Sequence, residues 1–106
     1  MIKVNIHKDQ AGRVESFEMS GHADFDEYGK DIVCAGASAV VFGNVNAVLS
    51  MTGSDPDIEL DDDGGYLHFS VGDPDDQKLQ TILEAMIISL KTIEEEYSEH
   101  IRIEYL

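Results

Sequence analysis

The chain has 106 residues, of which 42% are hydrophobic, and 7 basic against 22 acidic residues give it a formal net charge of −15. This length predicts one domain spanning residues 1–106, and the hydrophobic fraction favours a packed core over a disordered acidic chain. The charge argues against nucleic-acid binding, which depends on Lys and Arg contacts to phosphate.

We expect a cytoplasmic protein that does not cross a membrane. No apolar run approaches the roughly 18 residues that a membrane span requires, and the first residues lack the pattern of a signal peptide. Because Cys34 is the single cysteine, no intramolecular disulfide can form, which is typical of a reducing compartment.

The first two predicted elements are strands joined as a hairpin. Apolar residues alternate with polar ones at the start of the chain, at Ile2, Val4 and Ile6. A second strand is predicted over residues 13–20, with Val14, Phe17 and Met19 facing inward. Because Val14 and Phe17 are three positions apart, we expect a β-bulge between them. The hairpin would place His22 just beyond its end.

A loop and an apolar helix follow. Residues 23–33 are rich in Asp, Glu and Gly without a sustained period, which predicts a loop. We expect the helix to begin at Cys34 or Ala35 and to end at Met51. Since no charged residue occurs from Ala35 to Ser54, either the sheet and a second helix both cover this helix, or part of it meets another subunit.

The second half of the chain predicts two strands, a helix and a last strand. Ile58 and Leu60 are the inward positions of a short strand, an acidic turn covers residues 61–65, and the returning strand alternates at Leu67, Phe69 and Val71. The following helix is expected to start with Asp73 as N-cap and Pro74 at its first position. Its apolar spacing extends to Tyr97, and the last strand alternates at Ile101, Ile103 and Tyr105. The order ββαββαβ predicts an α+β fold, a small sheet packed with two helices in a single domain.

Cys34 is the strongest candidate for chemistry. A thiol at a helix start lies where backbone N–H groups and the helix dipole favour the thiolate, and an imidazole such as His22 can take its proton. Asp31 either orients His22 or caps the helix, and Gly29 allows the chain to bend before it. Ser38 lies one helical turn beyond Cys34 and either assists the reacting carbonyl or only packs.

No metal or cofactor site is predicted. The acidic residues 55–63 do not match the twelve-residue calcium loop in any register, and one cysteine cannot supply a zinc pair. The other histidines fit structural roles: His7 and His68 fall on the outward phase of their strands, and His100 adjoins the last strand.

Two motifs resemble those of the ribosomal-processing cysteine protease family Prp: Gly21-His22-Ala23, and Gly29-x-Asp31-Ile32-Val33-Cys34-Ala35 with Ser38. The similarity extends over essentially the whole chain. It implies that Cys34 is the nucleophile, that His22 is its base and that the protein is a homodimer. The substrate of that family is the large-subunit ribosomal protein numbered twenty-seven, whose N-terminal extension is removed.

Two further hypotheses accompany this resemblance. A basic ribosomal protein precursor suits a surface of charge −15, and the loop over residues 23–33 is expected to be mobile and to close over a peptide, with Phe25 and Tyr28 as lid residues. The alternative function is a non-catalytic acidic protein of ribosome assembly that binds a basic ribosomal protein. A protease would lose its function in Cys34→Ser, whereas a binding protein would keep it.

Overall fold

A computed structural model of the chain describes residues 1–62 and 64–106. Over these residues the order of elements is ββαββαβ, which confirms the predicted α+β fold. The strands and helices are β1 Ile2–Lys8, β2 Val14–Ser20, α1 Ile32–Met51, β3 Asp57–Leu60, β4 Tyr66–Ser70, α2 Gln77–Glu96 and β5 Ile101–Tyr105.

The five strands form one sheet in the order β3-β4-β2-β1-β5. β1 and β5 run parallel, and the other neighbours are antiparallel. The buried strand residues lie on one face and share a core with the inner faces of α1 and α2. At the centre of this core, the rings of Phe17 and Phe69 stack with centroids 5.0 Å apart. Both helices therefore cover the same face of the sheet.

The predicted irregularity in β2 is present as a β-bulge. His7 pairs with Ser16, but Lys8 pairs with Val14, so Glu15 is the extra residue. Because the bulge changes the phase of the strand, Val14 and Phe17 both point into the core although they are three positions apart.

Helix α1 is covered on one face only. Its valine-rich side is buried in the core, whereas four large apolar residues remain exposed on other sides: Ile32, Phe42, Leu49 and Met51. By length and composition alone α1 could cross a membrane, contrary to the expectation from the sequence. Its inner face packs against the sheet and α2, which makes it a core helix of this fold.

Helix α2 begins later than predicted. Its N-cap is Asp76, whose side chain accepts a hydrogen bond from the Leu79 N–H, and not Asp73. Asp73 instead closes a turn before the helix by accepting from the Asp75 N–H. A hydrogen bond of 2.5 Å from the Ser54 hydroxyl to the other Asp76 oxygen joins this cap to the segment after α1. Because Ser54 and Asp76 are 22 residues apart, no local sequence pattern predicts this contact.

At the sheet edge, one inward prediction is wrong. Leu60 is 59% exposed at the end of the edge strand β3, whereas Ile58 is half-buried against the core. In the predicted acidic turn, the Gly64 N–H donates to the Asp61 carbonyl and the chain reverses. Asp63 of that turn lies outside the described residues.

Candidate active site

Cys34 is the third residue of α1 and is half-buried. The helix begins at Ile32, two residues before the predicted start, because the Asp31 carboxylate accepts from the N–H groups of Val33 and Cys34 and so caps the first turn. The loop predicted over residues 23–33 therefore ends at Asp31. The thiol remains within the first turn, where the helix dipole favours a negative charge.

Asp31 ties the loop to the helix. One carboxylate oxygen accepts the two helical N–H groups, and the other accepts the N–H groups of Phe25 at 3.0 Å and Asp26 at 3.3 Å. Burial disfavours the charged carboxylate, but these four backbone donors outweigh it and lower the pKa of Asp31. Of the two roles left open by the sequence, the structure therefore shows capping.

The backbone of Ala23 contacts the sulfur directly. Its N–H donates to Cys34 Sγ at 3.2 Å, and its carbonyl oxygen lies 2.9 Å from Nδ1 of His100. Ala23 itself is 1% exposed. An N–H donor at the sulfur stabilises the thiolate more than the thiol, so this contact supports a reactive cysteine.

His22 lies on the rim of the same cavity as Cys34. The cavity has a volume of about 530 Å³, and Asp31, Ser38 and Tyr28 also line it. The His22 side chain is exposed, and among the hydrogen bonds of the described residues none joins its ring to the Cys34 sulfur. The structure therefore brings His22 and Cys34 to one cavity, without a direct hydrogen bond between them among the described residues.

Two glycines shape the loop that carries His22. Gly21 has φ +84°, and a Cβ at this position would lie 2.4 Å from the Met1 carbonyl oxygen. Gly29 has φ +86°, but open space surrounds its Cα. Both positions need the left-handed conformation that glycine adopts without strain. Gly21 additionally permits the close approach of two backbone segments directly before His22.

The two lid candidates occupy different places. The Phe25 ring packs edge-on against the rings of Tyr97 and His100, with centroid separations of 5.4 and 5.2 Å. Tyr28 is fully exposed on the cavity rim. The contacts of Phe25 and Asp31 anchor the loop at two points, and closure of the loop over a peptide stays a prediction.

His100 contacts the site, although the sequence predicts only a structural role for it beside the last strand. Its ring reaches the backbone of residue 23. A contact across 77 residues depends on the pairing of β5 with β1 and has no local pattern. In the sequence, Ala23 is marked only as the last residue of the Gly21-His22-Ala23 motif.

These parts define a thiol protease: a capped helix start presents a cysteine, an N–H contacts its sulfur, and a histidine shares its cavity. The family model described as "Cysteine protease Prp" matches residues 1–102. The chain belongs to the Prp family of cysteine proteases. This membership favours an enzyme over the non-catalytic alternative.

Relatives and solved structures agree with this assignment. The chain is 52% identical over 105 residues to the "Ribosomal processing cysteine protease Prp" of Staphylococcus aureus strain Mu50, covering 99% of both sequences. A crystal structure of the S. aureus protease with a covalently linked product peptide matches with a TM-score of 0.99 at 52% identity, and one with a substrate peptide matches with 0.91 at 51% identity. Both comparisons cover all of each chain.

Proposed function

We propose that this protease removes the N-terminal extension of the large-subunit ribosomal protein numbered twenty-seven, with Cys34 as nucleophile and His22 as base. The observation that carries the proposal is the Cys34 sulfur, which accepts the Ala23 N–H within the first turn of α1 and shares its cavity with His22. The names of the relatives, which are ribosomal processing proteases, support the class of substrate. The covalently linked product peptide in one relative supports covalent chemistry.

The proposed reaction is acyl transfer. His22 takes the thiol proton, and the thiolate attacks the scissile carbonyl carbon to form a C–S bond and an oxyanion. When the oxyanion collapses, the C–N bond breaks and the His22 imidazolium protonates the leaving amine. Water, deprotonated by His22, then attacks the thioester, releasing a carboxylic acid and the Cys34 thiol.

The oxyanion needs a donor other than the capped helix start. The N–H groups of Val33 and Cys34 at the helix start both donate to the Asp31 carboxylate. The Ala23 N–H is already 3.2 Å from the sulfur to which the reacting carbon attaches. We therefore assign the Ala23 N–H as an oxyanion donor, because only a short shift from sulfur to oxygen is required.

Charge supports the choice of partner. A chain with a formal charge of −15 attracts a basic precursor and increases the encounter rate by roughly 10- to 10³-fold at low salt. The same charge repels nucleic acid, so the substrate is the free protein and not an RNA-bound surface. We expect the reaction in the cytoplasm, where the single thiol stays reduced.

We also propose a homodimer that uses the uncovered face of α1. Phe42 and Leu49, two helical turns apart on one side of α1, are 37% and 50% exposed, and no charged residue occurs from Ala35 to Ser54. Burying such a face against a second copy would remove apolar area from water. Light scattering should show a dimer for the wild type and a monomer for Leu49→Glu; a wild-type monomer at all concentrations would overturn this assignment.

The experiment that tests the function is mass spectrometry of the precursor after incubation with enzyme. Wild type should release the short N-terminal peptide, and Cys34→Ala should release none. Cys34→Ser should release none either, although it keeps a small polar residue at the helix start, because it lacks the thiol. Cleavage by Cys34→Ala at the wild-type rate would eliminate the proposed nucleophile.

A further inference from the structure

His100 is a histidine that the proposed reaction does not use. Its Nδ1 atom lies 2.9 Å from the Ala23 carbonyl oxygen. A carbonyl oxygen only accepts hydrogen bonds, so Nδ1 must carry the hydrogen in this contact. His100 is therefore a donor to the residue that follows His22.

Both backbone polar groups of Ala23 form hydrogen bonds. Its N–H donates to the Cys34 sulfur, and its carbonyl accepts from His100. The next residue, Asp24, has φ +54°, a conformation that a non-glycine residue keeps only when its surroundings impose it. The direction of the Ala23 N–H toward the sulfur thus depends on a backbone that has to be held in place.

The His100 ring is itself firmly placed. The His100 N–H donates to the Tyr97 carbonyl at 2.8 Å, and its carbonyl accepts from the Ile2 N–H at 2.9 Å, where β1 begins beside β5. The Phe25 ring packs edge-on against the imidazole. The junction of α2 and β5 therefore holds His100 so that its Nδ1 donor contacts the active-site loop.

We propose that His100 is a positioning residue of the cysteine centre: its Nδ1–H fixes the Ala23 backbone so that the Ala23 N–H points at the Cys34 sulfur. This inference rests on the proposed role of Cys34 as nucleophile. His100 acts only through the Ala23 N–H, which stabilises the Cys34 thiolate, and does not itself contact the substrate. Removing the Nδ1 donor loosens that N–H, so the thiol should ionise at higher pH.

The test is the pH profile of iodoacetamide alkylation, which reports Cys34 alone because it is the single cysteine. In His100→Leu the midpoint should rise by about 0.5 to 1 pH unit, a fraction of the roughly one to two units expected for losing a hydrogen bond to a charged group entirely. His100→Asn, whose amide nitrogen can occupy the place of Nδ1, should restore most of the shift. The other charged and titratable residues that line the cavity are unchanged in every variant: His22, Asp24, Asp26, Tyr28 and Asp31.

Ile101→Val is the control for a merely structural effect. It shortens a buried side chain next to His100 and should lower the melting temperature without moving the alkylation midpoint. Equal midpoints in wild type and His100→Leu would overturn the proposal. So would equal shifts in His100→Leu and His100→Asn, because packing of the ring would then explain them.

A measurement on the wild type keeps the test independent of variant folding. At alkaline pH, where the imidazole is neutral, nitrogen NMR should find the His100 hydrogen on Nδ1; a hydrogen on Nε2 contradicts the proposed bond. The two proposals fail separately. Cleavage by Cys34→Ala refutes the function, whereas Cys34-dependent cleavage with unchanged alkylation in His100→Leu refutes only the role of His100.

Discussion

Replacing Gly21 by alanine should destabilise the protein far more than the same change at Gly29. Both glycines have nearly the same positive φ, so a Cβ in the left-handed region destabilises both variants by about 1–2 kcal/mol. Alanine also restricts the unfolded chain more than glycine does, which stabilises each variant by about 0.4–1 kcal/mol. The conformational cost is therefore the same at both positions and cancels in the comparison.

The difference comes from the surroundings. At Gly29 a Cβ meets nothing within 4 Å, but at Gly21 it would lie 2.4 Å from the Met1 carbonyl oxygen. That oxygen belongs to the peptide whose N–H, on Ile2, is bonded to the His100 carbonyl, so it cannot move without disturbing the β1–β5 junction. Forcing an extra methyl group into a packed position costs about 1–3 kcal/mol.

Thermal and urea unfolding of the two variants measure this directly. Gly21→Ala should be less stable than Gly29→Ala by about 1–3 kcal/mol, and each kcal/mol corresponds to roughly 4–8 °C in melting temperature for a domain of this size. Because Gly21 adjoins His22, its variant should also cleave more slowly. Equal stability of the two variants would refute the close approach as the reason for glycine at position 21.

Four further outcomes are expected. His22→Ala should lose cleavage, and its Cys34 should alkylate more slowly near neutral pH; an unchanged profile between pH 5 and 9 would show that the two residues form no ion pair. The kcat/KM for the basic precursor should fall as salt rises to physiological strength, whereas a flat profile would limit the −15 charge to solubility. The lowered pKa of Asp31 adds stability above its unfolded value of 3.8 that is lost as pH falls through the folded value, so the advantage of wild type over Asp31→Asn should shrink in acid and not grow. Hydrogen exchange in residues 23–31 should slow when a peptide binds, and full protection without peptide would contradict a lid.

The elements that the sequence predicts well are those with local causes. The apolar alternation of β1 and the three-residue spacing of Val14 and Phe17 determine a strand and a bulge, and the structure has both. The sequence predicts α1 to begin at Cys34 or Ala35, two or three residues later than the observed start at Ile32, because residues 23–33 show no sustained period. The Asp31 cap decides the boundary, and its second oxygen bonds a loop five and six residues upstream.

Other features depend on contacts between distant segments. The sequence predicts Asp73 as the N-cap of α2, whereas the structure has Asp76, whose carboxylate also accepts from the distant Ser54 hydroxyl. Leu60 follows the alternation of a buried strand but is exposed, because β3 lies at the edge of the sheet. In the site, the His22 and Cys34 pair follows from residue types and spacing, whereas the path from His100 through Ala23 to the sulfur requires the folded β5–β1 pairing.

If Cys34 forms the acyl-enzyme, the most direct measurement is intact mass after rapid acid quenching of enzyme mixed with an ester of the substrate peptide. We expect a population heavier than the free protein by the acyl fragment, with the modification mapped to Cys34 and absent from Cys34→Ala. In His22→Ala the same adduct should form much more slowly. A processed substrate without any adduct, or an adduct on another residue, would contradict the account.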